Sequence, residues 1–173
     1  MTTSPIYTIG YGHRSIDEFK ALLDRYAIGH LIDVRSRPYS RYKPEFSKSA
    51  LADHLQEGGI RYIFLGDKLG GIPDDEACYS NGKVDYDKCR EQPGFQEGIR
   101  YLHSTREKEI RVALMCAEAK PENCHRSKLI AVSLLAEKIP VIHVDESGKE
   151  IDQEEVRYRI TGGQLDLFDS MPD

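Results

Sequence analysis

Short β-branched and aromatic runs alternate along this chain with segments of helical spacing, and that alternation admits few folds. The runs are Ile6–Ile9, His30–Val34, Arg61–Phe64, Ile110–Met115 and Val141–Val144. Between the first two, Phe19, Leu22, Leu23 and Tyr26 recur at helical period. Ser15 with Glu18 three residues on forms a capping box that starts this helix, and Gly29 ends it. Further helices are predicted over Ser47–Glu57, closed by Gly58-Gly59, over Phe95–Arg106, and over Ser127–Glu137 as an amphipathic helix. A turn at Ser147-Gly148 precedes a last short helix before residue 160. Leu65 to Pro93 reads as a long polar loop rich in Gly and Asp, of the kind that is usually functional or mobile. Strand and helix alternating in this way imply a parallel sheet with right-handed crossovers. The expectation is an α/β fold, a single domain over residues 1–160 with a mostly parallel sheet of about five strands and helices on both faces. A tail over residues 161–173 follows it.

At 173 residues the chain can bury a full core without disulfide staples. It holds no apolar run near the roughly 18 residues of a membrane helix, so no membrane partner is expected. Met1-Thr-Thr-Ser-Pro5 lacks the basic and apolar regions of a signal peptide, which points to the cytoplasm. Its four cysteines are then expected to be reduced. A net charge of −5 argues against bulk electrostatic binding of nucleic acid and leaves room for a local basic site.

Three post-strand loops are predicted to meet at the carboxyl edge of the sheet, where open α/β sheets place their ligands. The first carries Gly10-Tyr11-Gly12-His13-Arg14, the second Asp33, Arg35, Arg37 and Arg41, the third Cys116, Glu118, Cys124, His125 and Arg126. Glycines beside a helix N-terminus let backbone amides approach an anion, and guanidinium groups recognise phosphate or carboxylate in two-point contacts. Gly12, His13, Arg14, Asp33, Arg35, Arg37, Arg41 and Arg126 are therefore candidates for holding an anionic ligand. Asp33 at a strand end reads first as a group that caps a turn or holds an arginine, and glycines in a tight turn need no ligand to explain them. Residues 35–48 carry a local charge of +4, interleaved with Tyr39, Tyr42 and Phe46, whose rings could stack on bases. Cys116, Glu118, Cys124 and His125 are the candidate catalytic groups. A single Cys116 would read as a core thiol. The cluster changes that, because a helix N-terminus and Arg126 would both acidify a neighbouring thiol.

The chain resembles the family called domain of unknown function 488. The matching segments are Thr8-Ile-Gly-Tyr-Gly-His-Arg-Ser15, Ile32-Asp-Val-Arg-Ser-Arg-Pro38 with Arg41 and Phe46, Leu69-Gly-Gly71, and Leu114-Met-Cys-Ala-Glu118 with Cys124-His-Arg126. The resemblance implies a site at His13, Arg14, Asp33, Arg35, Arg37, Cys116, Glu118, Cys124, His125 and Arg126, without roles. A fainter likeness to rhodaneses lies in Leu31-Ile-Asp-Val-Arg35 and in a strand-end cysteine followed by Arg-Ser opening a helix. Nine residues separate Cys116 from Arg126, about twice the span of the compact anion cradle in those enzymes.

In the tail, Gln164-Leu165-Asp166-Leu167-Phe168 is similar to the short peptide by which bacterial replication and repair proteins bind the DNA sliding clamp. Its amide would fix the peptide while the three apolar side chains fill pockets. Folding back onto the core is the alternative. Three functions follow: a cytosolic thiol enzyme acting on a phosphate-bearing ligand such as a nucleotide or nucleic acid, linked to DNA repair or replication through the clamp peptide; a non-catalytic phosphate or nucleic-acid adaptor; or a zinc site at Cys116, Cys124 and His125.

Overall fold

The computed structural model describes residues 4–162. The tail peptide Gln164, Leu165, Asp166, Leu167 and Phe168 lies outside the described residues. Six strands form one sheet: β1 (Ile6–Gly10), β2 (His30–Asp33), β3 (Arg61–Phe64), β6 (Val112–Cys116), β7 (Val141–Val144) and β8 (Glu150–Ile151), in the order β3-β2-β6-β1-β7-β8. A separate two-stranded ribbon, β4 (Tyr79–Ser80) and β5 (Lys83–Val84), lies between β3 and β6 in the chain. The first five strands of the large sheet pair in parallel; β8 pairs antiparallel with β7 at the edge. This edge strand, two residues long, is one more than the sequence suggests, because it is too short to show a period.

Helices α1 (Ile16–Arg25) and α2 (Lys48–Glu57) cover one face. The Ser15 capping box closes α1 as predicted, and the chain leaves it through Ala27 at φ 52° rather than at Gly29. Tyr7, Ile9, Leu31, Ala113 and Met115 meet Phe19, Leu23, Leu51 and Leu55 on this side. The opposite face buries Ile6, Ile32, Val112, Leu114 and Val141 against Phe95, Ile99 and Leu102 of α5 (Pro93–Glu107) and against Leu129, Ile130 and Leu134. Alternate residues of β6 thus enter different cores, and all five of its residues are buried. That double burial is why the strand reads as a continuous apolar run.

Two segments depart from expectation. Residues 65–93 are built rather than loose. They hold α3 (Gly66–Leu69), the β4–β5 ribbon and α4 (Tyr86–Glu91). Asn81 and Gly82, at φ 52° and 77°, make the turn between β4 and β5, a dipeptide suited to two-residue hairpins. The Asp85 carboxylate caps α4 by accepting from the Asp87 and Lys88 amides. The second departure follows Cys124. Arg126–Ala131 is a π-helical stretch, continued by α6 (Val132–Ala136). Arg126, Ser127, Leu129, Ile130 and Ala131 are all buried there, a wider apolar arc than one α-helical face supplies. Gln153, at the start of α7 (Gln153–Ile160), donates to the Ser127 carbonyl, and Arg90 donates to that of Lys128. Single-turn π-segments occur frequently at functional sites. No helix among the described residues is long and apolar enough to cross a membrane.

Candidate functional site

The register of the sheet sets Gly10 directly beside Cys116 and Asp33 beside Met115, so the loops after β1, β2 and β6 emerge together. The first and third loops are laced by backbone bonds: the Tyr11 amide donates to the Cys116 carbonyl and the Gly12 amide to that of Ala117. A side chain at Gly10 would strike the Glu118 carbonyl oxygen at 1.7 Å, so only glycine allows this approach. The amide of Gly12 is therefore occupied by protein and cannot serve an anion.

A cavity of about 400 Å³ opens above these loops. Tyr11, Arg35, Arg37, Tyr39, Cys116, Glu118, Cys124 and His125 line it, together with Tyr86 and Gly71 from the segment that the sequence presented as a loop. At its floor the sulfurs of Cys116 and Cys124 lie 2.7 Å apart, both as free thiols. Burial opposes ionisation of Cys116, but the hydrogen bond with Cys124, the Arg126 charge and the Glu118 backbone outweigh it and hold its pKa at about 7. Cys124 goes the other way: its bond to Cys116, then burial, push its pKa far up. The two sulfurs are thus driven apart in acidity, Cys116 downward and Cys124 upward.

Arg126 is 0% exposed. Its Nη2 donates to the Ala119 carbonyl, while Nε and Nη1 find no hydrogen-bond acceptor among the described residues. A buried guanidinium with two unmet donors is costly unless an anion neutralises it. Ionisation of Cys116, which the Arg126 charge favours, supplies such a charge. His125 donates from Nε2 to the Val34 carbonyl at 3.0 Å, which leaves Nδ1 bare, 3.6 Å from Cys124 Sγ. Burial lowers its pKa to about 4, so the ring is neutral near pH 7. Gly71 lets the ring in, since a Cβ there would lie 2.8 Å from His125 Cγ.

Arg35 is fixed from three sides. Its Nε and Nη2 donate to the two Asp33 carboxylate oxygens at 2.9 and 2.8 Å, Nη2 also reaches the Phe46 carbonyl, and the guanidinium lies 5.5 Å over the Tyr11 ring. Tyr11 in turn stacks on Phe46 at 4.3 Å. Only Nη1 of Arg35 lacks a partner among the described residues, and Arg35 lines the cavity.

The expected site residues thus separate. Cys116, Glu118, Cys124, His125, Arg35 and Arg37 line the cavity, and Arg126 supports the thiol pair from within the core. Asp33, fully buried, accepts from Arg35 and Tyr62 and positions Arg35 rather than meeting a ligand. Arg14 is buried and spends its donors on the Gly10 and Asp145 carbonyls. Gly12, His13 and Arg41 are not among the lining residues, and His13 and Arg41 are exposed. Phe46 is buried beneath Tyr11 and cannot stack on a base, whereas Tyr39 and Tyr42 are 71% and 92% exposed. Among the described residues no three His, Cys, Asp or Glu side chains are arranged to hold a metal, which leaves the zinc arrangement without a ligand set.

Sequence reasoning missed Tyr11, Gly71 and Tyr86 as lining residues, and also His143. This fully buried ring lies between the Thr8 hydroxyl and the Gln153 amide oxygen, 2.7 Å from each. Because the Gln153 nitrogen donates to Ser127, its oxygen faces His143, which must donate from Nε2 and accept at Nδ1. Burial lowers the His143 pKa to about 4. Both His125 and His143 titrate near 6.5 once unfolded. Between these values the unfolded chain binds more protons, so stability should rise with pH from 4 to 6.5 and level off above. Urea unfolding at pH 5 and pH 7 measures this. His143→Gln should flatten part of the slope, and an unchanged slope would count against the buried neutral ring.

Neither a curated protein nor a solved structure matches the chain. The family model described as Domain of unknown function DUF488 matches residues 15–133, which span the arginine loop, the thiol pair and Arg126. With most of its length covered by that match, the chain belongs to the DUF488 family.

Proposed function

We propose that this protein is a thiol-dependent enzyme acting on a phosphate-bearing ligand of nucleotide or nucleic-acid type. One observation carries the reading: two thiols 2.7 Å apart at the floor of an open cavity, beside a fully buried arginine with unmet donors. Reactive thiols sit in electropositive surroundings that favour the thiolate, and inert structural ones do not. Cys116 is the nucleophile. Arg35 holds a rigidly mounted positive charge against the cavity, its unpartnered Nη1 buried beneath the surface, and Arg37, exposed at the rim, adds a second guanidinium. A charge held in advance loses little freedom when an anion arrives. Tyr39 and Tyr42 give exposed rings on the same basic loop, suited to stacking bases. Glu118, exposed on the cavity wall, is the carboxylate that exchanges a proton with the ligand, while the neutral His125 ring faces Cys124.

Alkylation by iodoacetamide across pH 5–10, read by peptide mass spectrometry, tests the reading. Cys116 should react with a midpoint near pH 7, and inorganic phosphate or a short oligothymidylate should protect it. Cys89, whose pKa burial and Cys78 raise to about 12, should stay unreacted. If Cys116 stays inert up to pH 9, the enzymatic reading fails. Phosphate binding measured directly, with inert thiols, would then leave the adaptor.

A further inference from the structure

We propose that Cys116 and Cys124 form a thiol–disulfide exchange couple, with Cys116 as the attacking sulfur and a low-molecular-weight disulfide of the glutathione type as co-substrate. The couple shares only the reactivity of Cys116 with the reading above and needs no phosphate ligand. Its basis is geometric. The two sulfurs are 2.7 Å apart although eight positions separate them in the chain. A disulfide bond of about 2.05 Å asks for a further approach of only roughly 0.6 Å. Cys116 is held at the end of β6 by its pairing with β1, while Cys124 ends the short turn Pro121–Asn123. Closure therefore falls to the loop rather than to the sheet. Both residues line the cavity, although only 3% and 6% exposed, so a small disulfide has a route to them that a second protein surface lacks.

The chemistry balances. The Cys116 thiolate attacks one sulfur of the disulfide RSSR, forming Cys116–S–SR and releasing RS⁻, which takes a proton from solvent in place of the one Cys116 has already given up. Cys124 passes its proton to the bare Nδ1 of His125, 3.6 Å away. Its sulfur then attacks Cys116 Sγ, the Cys116–Cys124 bond forms, and the second RS⁻ leaves with the proton from His125. Two electrons pass from the protein to RSSR, and two RSH molecules result. Excess thiol reverses every step. The unequal acidities of the two sulfurs fit these roles, since exchange is driven by the thiolate.

Arg126 sets the poise. In the dithiol state its charge faces the thiolate; in the disulfide state it is buried with no anion. The reduced form is thereby favoured, which makes the disulfide an oxidising one that is easily reduced, unlike a structural bridge.

The test equilibrates the whole protein with reduced and oxidised glutathione at graded ratios, without air, followed by acid quench, alkylation and peptide mapping. A Cys116–Cys124 disulfide should form and reverse, with Cys78 and Cys89 reduced throughout. Cys124→Ser should retain glutathione on Cys116, and Cys116→Ser should retain at least about tenfold less on Cys124. Arg126→Met should shift the midpoint about tenfold towards disulfide, about 30 mV for this two-electron couple. The proposal is overturned if both thiols stay free at the oxidising end, or if the two serine variants retain glutathione equally. Phosphate protection is read separately and does not bear on either outcome.

Discussion

An Arg126→Met variant is expected to lose most of the Cys116 alkylation that the parent shows at pH 7. In the parent, Cys116 is held at about 7 against an ordinary 9.0, so about half the sulfur is thiolate at neutral pH. Burial alone would drive this thiol upward, and the Arg126 charge is among the forces that reverse it. Losing one pKa unit of that support leaves about a tenth as thiolate, and losing two leaves about a hundredth, so the rate at pH 7 falls roughly fivefold to fiftyfold. Raising the pH should restore the rate, which distinguishes a lost charge from a blocked cavity. Methionine fills much of the volume and removes a buried cation with two unmet donors, so thermal stability should hold or rise. A Cys116 profile unchanged by the substitution would show that the guanidinium does not act on the thiol.

Asp33→Ala should cause the largest loss of stability of any substitution near the cavity. Asp33 is fully buried and accepts from the Arg35 backbone amide, from Arg35 Nε and Nη2, and from the Tyr62 hydroxyl at 2.6 Å. Its removal strands a buried guanidinium and a half-buried tyrosine hydroxyl together. Breaking a buried ion pair from one side costs about 3–5 kcal/mol. Chemical denaturation of parent and variant measures it. Asp33→Asn keeps hydrogen-bond acceptance on one side and should cost less. Arg35→Met with Asp33→Leu should recover much of the loss, because both charges then leave the core together. A single Asp33→Ala loss below about 1 kcal/mol would mean that water reaches this pair, and the rigid mount for Arg35 would then be in doubt.

These residues also show how far the chain can be read without its structure. The strand runs, the Ser15–Glu18 box and the two-sided burial of β6 are local patterns of period and capping, and each is visible in order along the chain. The turn Asn81-Gly82 is equally local, but the strands it joins are two residues each, too short to show a period, so the segment around it reads as a loop. The arginines are harder. Arg14, Arg35, Arg37, Arg41 and Arg126 look alike as letters, yet Arg14 is spent on carbonyls, Arg35 is locked to Asp33, Arg41 is exposed away from the cavity, and Arg126 is in the core. What separates them is which acceptors surround each guanidinium, and those acceptors come from residues as much as 131 positions away.

The sequence by itself determined the α/β class, the parallel sheet and the edge at which the chemistry gathers, because hydrophobic period and helix caps act over a few residues. Only the tertiary structure decided that Cys116 and Cys124 touch, that Arg126 lies in the core with two donors unmet among the described residues, that His143 and Gln153 support the π-helical turn, and that Tyr86 and Gly71 complete the cavity. Thiol acidity and buried charge depend on the distances and burial that a packed sheet imposes, and no local pattern in the chain encodes them.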